Sequence, residues 1–233
     1  MSEITAADLK ALCQWDTPTI CNALEVVVPE RRATGFTVEH MQVLDPTLAP
    51  ICGYARTATC RAATPSPLPA AEARELRARY YEYVASAPGP TVTVIQDLDP
   101  IPGFGAFWGE VNTAIHKGLG CLGAVTNGSI RDLDACAKGF QLLAGKVGPS
   151  HAHVHVVDFG CEVNVLGMAV LSGDIIHADR HGAVVVPASA VKALPAAVDL
   201  LTRREAVILE AARAPGFDAA KLRKAMSESA DIH

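Results

Sequence analysis

Two short runs of β-branched and apolar residues, 91–97 (TVTVIQD) and 121–126 (CLGAVT), flank a glycine-rich loop and a helical segment. Runs of this length and composition predict buried strands. The segment between them, 110–117 (EVNTAIHK), has the spacing of a helix and is followed by glycines that predict its end. A strand, a crossover helix and a second strand predict parallel pairing, and open parallel sheets bind ligands beyond the carboxyl ends of their strands.

Other segments extend this α/β pattern. Apolar spacing near that of a helix predicts one or two short N-terminal helices, capped by Thr5 and broken near Pro18. Residues 51–63 (ICGYARTATCRAA) alternate as a strand does, and a charged helix is predicted over 70–86. A second helix after the 121–126 strand is predicted over 130–140 (IRDLDACAKGF).

The C-terminal third of the chain has a different pattern. Short strand-like segments divided by glycine turns fill 151–187 and predict a second, antiparallel or mixed sheet packed against the first. From Ala188 onward the pattern is helical, around 199–213 and 217–228.

The length of 233 residues, with no repeat and no linker, predicts a single domain over 1–233. Its core is expected at about 15–190 and a helical extension at about 188–228.

Charge and hydropathy exclude several classes of partner. The formal charge is −5 and the 20 Lys and Arg residues are scattered, so a nucleic-acid partner is not expected. No apolar run approaches the ~20 residues of a bilayer span, and the N-terminus lacks a signal pattern. We therefore expect a cytoplasmic protein that does not bind membranes.

The seven cysteines form no C-x-x-C pair and lie mostly in apolar segments. This pattern predicts reduced residues of the core. A thiol nucleophile is the alternative.

The candidate site combines three residues. Glu110 lies at the predicted start of the first crossover helix, and Arg131 and Asp132 lie at the predicted start of the second. A glycine-rich turn that leads into a helix offers backbone N–H groups to an anion, and an arginine fork matches a carboxylate or a 2-oxo acid. The two carboxylates suit Mg²⁺ or Mn²⁺, which usually retains several waters. Together these groups predict binding of a 2-oxo acid and stabilisation of an enolate.

Less specific explanations compete with this prediction. An Arg-Asp pair at a helix start can simply cap the helix or form a surface ion pair. The loop 103–109 (GFGAFWG) has one residue too many for a dinucleotide-binding G-x-G-x-x-G.

Histidines offer a rival metal site. His151, His153 and His155 would share one face of a strand and could bind zinc, although Gly148-Pro149 argue that the first of them is not extended. The same two explanations, a metal site or polar residues without a ligand role, apply to His177, Asp179 and His181. The aspartates Asp174 and Asp179 are expected to cap turns.

The spacing from Glu110 to Arg131-Asp132 resembles the signature of the class II, metal-dependent pyruvate aldolases of the RraA-like family. Further segments are similar to that family: TICNAL at 19–24, CGYARTATC at 52–60 and LGMAVLSGDIIHADRHGAVVVP at 166–187. The family includes 4-hydroxy-4-methyl-2-oxoglutarate and 4-carboxy-4-hydroxy-2-oxoadipate aldolases, which also decarboxylate oxaloacetate. The resemblance covers most of the chain.

By this resemblance the fold is an αββα sandwich, related to swivelling phosphohistidine domains, with flanking N- and C-terminal helices. The assembly is expected to be a homotrimer or homohexamer with sites between subunits. Asp132 would bind Mg²⁺ or Mn²⁺ directly, Glu110 would orient metal-bound water, and Arg131 would hold the carboxylate and keto oxygens of the substrate. Amides around Ala106, Phe107, Trp108 and Gly109 would bind the pyruvyl carboxylate.

The activity implied is cleavage of a 4-hydroxy-2-oxo acid to pyruvate and a second oxo acid. The alternatives are a non-catalytic regulator of the RNase E type, whose relatives lack the acid after the arginine, and a metal-dependent enzyme acting on another small oxo or sugar acid.

The sequence departs from the family pattern at Asn127 and Asn22, where Asp is common, and in the histidine-rich 151–160. An acid from a neighbouring subunit completes the metal site of the aldolases, and Glu205 and Glu210 are the candidates for it.

Overall fold

A computed structural model describes residues 3–233, which form a mixed α/β fold. The helices are α1 (Ala6–Leu12), α2 (Thr17–Val27), α3 (Ala70–Ala85), α4 (Glu110–Gly118), α5 (Leu194–Arg213) and α6 (Ala219–Ala230). The strands are β1 (Gln42–Val43), β2 (Ile51–Arg61), β3 (Thr91–Asp97), β4 (Ala106–Trp108), β5 (Cys121–Thr126), β6 (Ser129–Ile130), β7 (Gln141–Ala144), β8 (Lys146–Val147), β9 (His155–Phe159), β10 (Val163–Val165), β11 (Met168–Val170), β12 (Ile175–Asp179) and β13 (Gly182–Val186). No helix in this part of the chain is both long and apolar enough to cross a membrane.

The main sheet has the order β1-β7-β5-β3-β2-β12-β13, and β9 pairs with the far end of β2. Its centre is parallel: β2 pairs with β3, β3 with β5 and β5 with β7. The strands β1, β9, β12 and β13 are antiparallel to their neighbours. The predicted parallel pairing of 91–97 with 121–126 is confirmed, and α4 is the crossover between them.

Two small sheets complete the fold. The strands β10 and β11 form an antiparallel hairpin. The strands β4, β6 and β8 form a parallel sheet, in which Trp108 lies opposite Ile130. Because β4 precedes α4 and β6 precedes Arg131, this small sheet brings the two halves of the candidate site together.

Local sequence explains where the N-terminal helices begin. Thr5 and Asp8 form a reciprocal capping box at α1, and Asp16 caps α2 by accepting from the Thr19 N–H. Pro18 lies in the first turn of α2, where its missing N–H costs nothing, so the helix break predicted there falls just before it.

Apolar side chains are buried in three clusters. One lies among α1, α2 and α5, and includes Leu9, Leu12, Ile20 and Leu194. A second lies between the main sheet and the β10-β11 hairpin. The third surrounds Tyr80, Trp108 and Phe140 beneath α3 and α4, and its aromatic rings pack against one another and against the side chains of β4.

Two predictions are wrong. Residues 130–140 form no helix: after β6 the chain makes one turn, in which the Ala135 and Cys136 N–H groups donate to the Asp132 carbonyl, and then enters β7. Asp132 has a φ of 53°, outside the helical region. The predicted separate second sheet does not form either, because β9, β12 and β13 pair with the main sheet and only β10 and β11 stand apart.

The predicted reduced cysteines are confirmed. All seven are free thiols, four of them buried and three partly buried. Burial raises the pKa of every one of these thiols, which makes a thiolate nucleophile unfavourable.

Candidate functional site

Arg131 and Glu110 follow two neighbouring strands of the small parallel sheet, β6 and β4. The Arg131 N–H donates to the Trp108 carbonyl at 2.9 Å, so the chain after β6 lies against the start of α4. A second tie comes from Thr113 on α4, whose hydroxyl accepts a hydrogen bond from the Ala137 N–H at 2.9 Å. The turn that carries Arg131 and Asp132 is therefore held at one end on β4 and at the other on α4.

The Asp132 carboxylate lies at the N-terminus of α4. Its Oδ2 is 3.4 Å from the Glu110 N–H and 3.5 Å from Nε of Arg131. The Asp132 and Arg131 side chains are 34% and 35% exposed, so both remain accessible to a ligand. The N-terminus of α4 and the guanidinium both place positive charge beside this carboxylate.

Gly109 makes room for this carboxylate. A Cβ on residue 109 would lie 2.6 Å from Oδ2 of Asp132 and 3.2 Å from Cγ of Arg131. Its φ of −171° is accessible to any residue, so the close approach, and not the backbone conformation, requires glycine.

A cavity of about 530 Å³ opens onto these residues, a size within the range of small-molecule sites. Of the residues predicted to bind the substrate or metal, Ala106, Phe107, Gly109, Arg131 and Asp132 line it. Trp108 is fully buried beneath the cavity, and the exposed Glu110 is adjacent to its wall without lining it. The Ala106 N–H donates to the Ser150 carbonyl at 2.9 Å, so it has a protein partner already.

Buried aspartates shape the glycine-rich loop beside the cavity. Asp97 accepts from the Asp99 and Gly103 N–H groups, and Asp99 accepts from the Ala62 and Ala63 N–H groups. Burial raises the pKa of Asp97. Sequence reasoning missed these two anchors, although an Asp-x-Asp directly after a buried strand is a recognisable signal for loop capping.

Asn127 clamps the same loop from the next strand. Its Oδ1 accepts from the Asp97 N–H at 2.7 Å, and its Nδ2 donates to the Asp97 carbonyl at 3.0 Å. Neither Asn127 nor Asn22, the two departures from the family pattern, lines the cavity. Asn22 is exposed on α2.

The histidine-rich segment forms part of the cavity wall. His151, His153 and His155 all line it, but only His155 lies in a strand, so the three do not share one strand face. Nδ1 of His151 and of His155 lies 2.7 and 2.8 Å from a backbone carbonyl oxygen. A carbonyl can only accept, so these nitrogens carry the proton and Nε2 is left for a ligand.

The second histidine group is part of the fold. Asp179 accepts from the Thr17 and His181 N–H groups, and these bonds outweigh burial and lower its pKa. His177 is buried between Thr17 and the Leu12 carbonyl, and burial lowers its pKa. Asp174 accepts from the Leu171 N–H, as expected for a turn cap.

Sequence reasoning also missed a second arginine at the cavity, Arg77 on α3. Its Nε and Nη2 donate to the Tyr81 hydroxyl at 3.2 and 3.1 Å, and that hydroxyl donates to Oδ1 of Asn112 on α4 at 2.7 Å. The spacing of Arg77 and Tyr81 by four residues places them on one helix face, but nothing local relates that face to Arg131.

The donor set at Asp132 suits a hydrated divalent cation. Within residues 3–233, no three His, Cys, Asp or Glu side chains are grouped to hold a metal ion, so the histidine-based zinc site gains no support. Asp132 offers one accessible carboxylate at a position kept clear by Gly109. One carboxylate with retained waters is a common arrangement for Mg²⁺.

Residues 17–185 match the family model described as RraA-like, Aldolase/RraA. No curated protein matches the chain significantly. An uncharacterised protein from Pseudomonas syringae pv. tomato has a similar structure, with a TM-score of 0.71 and 19% identity over 97% of this chain and 96% of that one. Streptomyces coelicolor RraAS2, an unusual member of the RNase ES inhibitor RraA family, has a TM-score of 0.66 and 23% identity over 88% of this chain and 95% of that one. These likenesses confirm the predicted RraA-like fold.

Another solved structure, described among novel cellulases from microbes of the gut ecosystem, has a TM-score of 0.72 and 17% identity over 88% of each chain. At such identities the likeness concerns the fold alone.

Proposed function

Because the chain belongs to the RraA-like family, we propose that it is a divalent-metal-dependent lyase. The proposed reaction cleaves a 4-hydroxy-2-oxo acid of the 4-hydroxy-4-methyl-2-oxoglutarate type to pyruvate and a second oxo acid, with oxaloacetate decarboxylation as a side activity. The family contains both metal-dependent aldolases and RNase E inhibitors, so membership alone does not decide between them.

The observation that carries the proposal is the position of the Arg131 and Asp132 side chains. They lie together at the N-terminus of α4, they line one cavity, and Gly109 leaves the space that the carboxylate occupies. A guanidinium beside a cation-binding carboxylate suits a small keto acid, whose carboxylate and keto oxygens need both.

In this proposal Asp132 holds Mg²⁺ or Mn²⁺, and Glu110 orients a water molecule from the adjacent exposed position. A bound cation supplies Lewis-acid stabilisation of the negative charge that develops on the pyruvyl half. Arg131 binds the carboxylate and keto oxygens. Since the Ala106 N–H is already bonded and Trp108 is fully buried, the amides proposed to bind the pyruvyl carboxylate are those of Phe107 and Gly109, which line the cavity.

The bond changes follow from this placement. A water molecule near Glu110 takes the proton of the substrate's 4-hydroxyl group, and the bond between C3 and C4 breaks. The electrons of the C3–C4 bond remain on the pyruvyl half, which becomes an enolate, and C4 becomes the carbonyl carbon of the second oxo acid. Protonation of the enolate at C3 then gives pyruvate. Arg131 and the N-terminus of α4 stabilise the negative charge during this step.

The proposed assembly is a homotrimer or homohexamer in the cytoplasm, with sites between subunits. Glu205 and Glu210 are both exposed on α5, as an acid that reaches another subunit's site must be. They remain the candidates for completing the site.

The test is a pyruvate-release assay with Mg²⁺ or Mn²⁺ on oxaloacetate and the two branched aldol substrates. We expect chelation to abolish turnover and Asp132→Asn to lower kcat by about a hundredfold or more. Asp134→Asn is the matched control, because Asp134 is exposed two residues later and does not line the cavity. Turnover that survives chelation and Asp132→Asn would refute the metal-dependent mechanism, and absence of pyruvate release from all three substrates would refute the lyase.

The similarity to RraAS2 keeps a regulator as the second candidate. It predicts inhibition of a degradative endonuclease of the RNase E type, with no dependence on Asp132. An RNA-cleavage assay with the wild type and Asp132→Asn separates the two functions.

A further inference from the structure

The cavity that contains Arg131 and Asp132 has a second cationic group on its wall. Arg77 lines it, and within residues 3–233 Asp132 is the only carboxylate among its lining residues. The other charged or titratable side chains on the wall are His151, His153 and His155. Two guanidiniums facing one carboxylate leave an excess of positive charge, which favours a ligand with more than one anionic group.

The Arg77 guanidinium is held in place before any ligand arrives. Two of its nitrogens donate to the Tyr81 hydroxyl, and its carbon lies 5.7 Å from the centre of the Tyr81 ring. Tyr81 is fixed in turn by Asn112, whose Nδ2 donates to the Phe107 carbonyl in the cavity wall. This chain of contacts ties Arg77 on α3 to α4 and β4.

One edge of this guanidinium stays free. Nη1 of Arg77 makes no hydrogen bond in the described part of the chain, and the side chain forms no ion pair there. An arginine that is anchored through one edge and unpaired at the other loses little further entropy when it binds a carboxylate.

We propose that Arg77 is a specificity-determining residue, which binds a carboxylate at the end of the substrate remote from Arg131. This proposal rests on the proposed function, because that function places the pyruvyl end of the substrate at Arg131 and Asp132. Tyr81 is the positioning residue for Arg77. This role adds a binding partner for the second carboxylate of the substrate already proposed, whose other cleavage fragment is itself an oxo acid.

A binding measurement tests this without requiring turnover. In the presence of Mg²⁺, 2-oxoglutarate and 2-oxopentanoate are compared by calorimetry, because they share the 2-oxo acid end and chain length and differ in the terminal carboxylate. We expect the wild type to bind 2-oxoglutarate about 10 to 100 times more tightly, the range of a hydrogen bond to a charged group.

The variants isolate Arg77. We expect Arg77→Gln to remove most of this preference while leaving affinity for 2-oxopentanoate within about threefold, and Arg77→Lys to retain part of it. Tyr81→Phe should reduce the preference less than Arg77→Gln, since the charge stays. Arg74→Gln is the matched control: Arg74 is exposed one turn earlier on α3 and does not line the cavity.

The preference ratio separates recognition from a structural role, because a general disturbance of the fold weakens both ligands equally. The proposal would be overturned if Arg77→Gln weakened the binding of 2-oxoglutarate and 2-oxopentanoate equally, or in any other way left the ratio of the two affinities unchanged. The two hypotheses also fail separately. A retained carboxylate preference in a protein that cleaves no aldol substrate refutes the lyase alone, and aldol cleavage with no such preference refutes the role of Arg77 alone.

Discussion

Asp132 occupies the space that a side chain at Gly109 would need: a Cβ on residue 109 would lie 2.6 Å from Oδ2 of Asp132. Real Cβ atoms do not approach this closely, so any larger residue at 109 must displace the carboxylate. The glycine therefore has a role at the site that does not depend on its backbone flexibility.

The first prediction concerns this contact. Gly109→Ala is expected to lower kcat/KM for pyruvate release by about a hundredfold, because a displacement of about 1 Å at a catalytic group costs that much. The free energy of unfolding should change by less than about 1 kcal/mol. Steady-state kinetics and urea denaturation measure the two effects.

Gly118→Ala at the end of α4 is the control, since an added Cβ there meets nothing within 4 Å. This variant should keep full activity. Full activity of Gly109→Ala would show that the Asp132 position is not required.

The second prediction separates the roles of Asp132 and Arg131 by metal binding. Asp132→Asn is expected to weaken Mn²⁺ binding at least about tenfold, because a neutral amide replaces the anionic ligand. Arg131→Gln should leave Mn²⁺ binding equal or tighter, because it removes a positive charge 3.5 Å from Asp132. Electron paramagnetic resonance of free Mn²⁺ measures both. Undiminished binding in Asp132→Asn would place the cation elsewhere.

The third prediction concerns Asn127→Asp. An aspartate cannot donate to the Asp97 carbonyl, and it would place a second carboxyl group beside buried Asp97. We expect a loss of about 1 to 3 kcal/mol in the free energy of unfolding, measured by urea denaturation at pH 7. Asn22→Asp on the surface of α2 should change it by less than about 0.5 kcal/mol. Equal stability of the two variants would contradict the clamp.

The fourth prediction concerns pH and His116. Burial lowers the pKa of His116 from 6.5 to about 4. Its Nδ1 donates to the Asn112 carbonyl, so Nε2 of the neutral ring accepts from the Tyr80 hydroxyl. Because the folded pKa lies below the unfolded one, His116 contributes no pH dependence above about pH 6.5. Below that, the unfolded state binds the proton first and stability falls until about pH 4.

The loss expected from His116 is roughly 2 to 4 kcal/mol between these limits. His177 acts in the same direction, since its pKa is also lowered by burial. The measurement is therefore the difference between wild type and His116→Gln in urea denaturation at pH 7 and pH 4.5. An identical pH dependence of the two proteins would rule out a neutral buried His116.

The sequence alone determined the elements whose signals are local. The strands β3 and β5 and the helix α4 follow from β-branched runs, helical spacing and terminal glycines, and the parallel pairing follows from their order. The proximity of Glu110 to Arg131-Asp132 was predicted because consecutive parallel strands end at one edge of a sheet. In the structure the short parallel sheet of β4, β6 and β8 brings these residues together, and only the first of the two predicted helix starts exists.

Only the tertiary structure decided the rest. The helix predicted over 130–140 is replaced by a turn because Asp132 adopts a φ of 53° against Gly109 and the turn is bonded to Thr113. The strands β12 and β13 join the main sheet because an antiparallel strand can pair with any free edge, and β2 offered one. Arg77 reaches the cavity through Tyr81 and Asn112, which are distant from Arg131 in the chain. Such contacts depend on which surfaces meet through space, and residue order does not encode that locally.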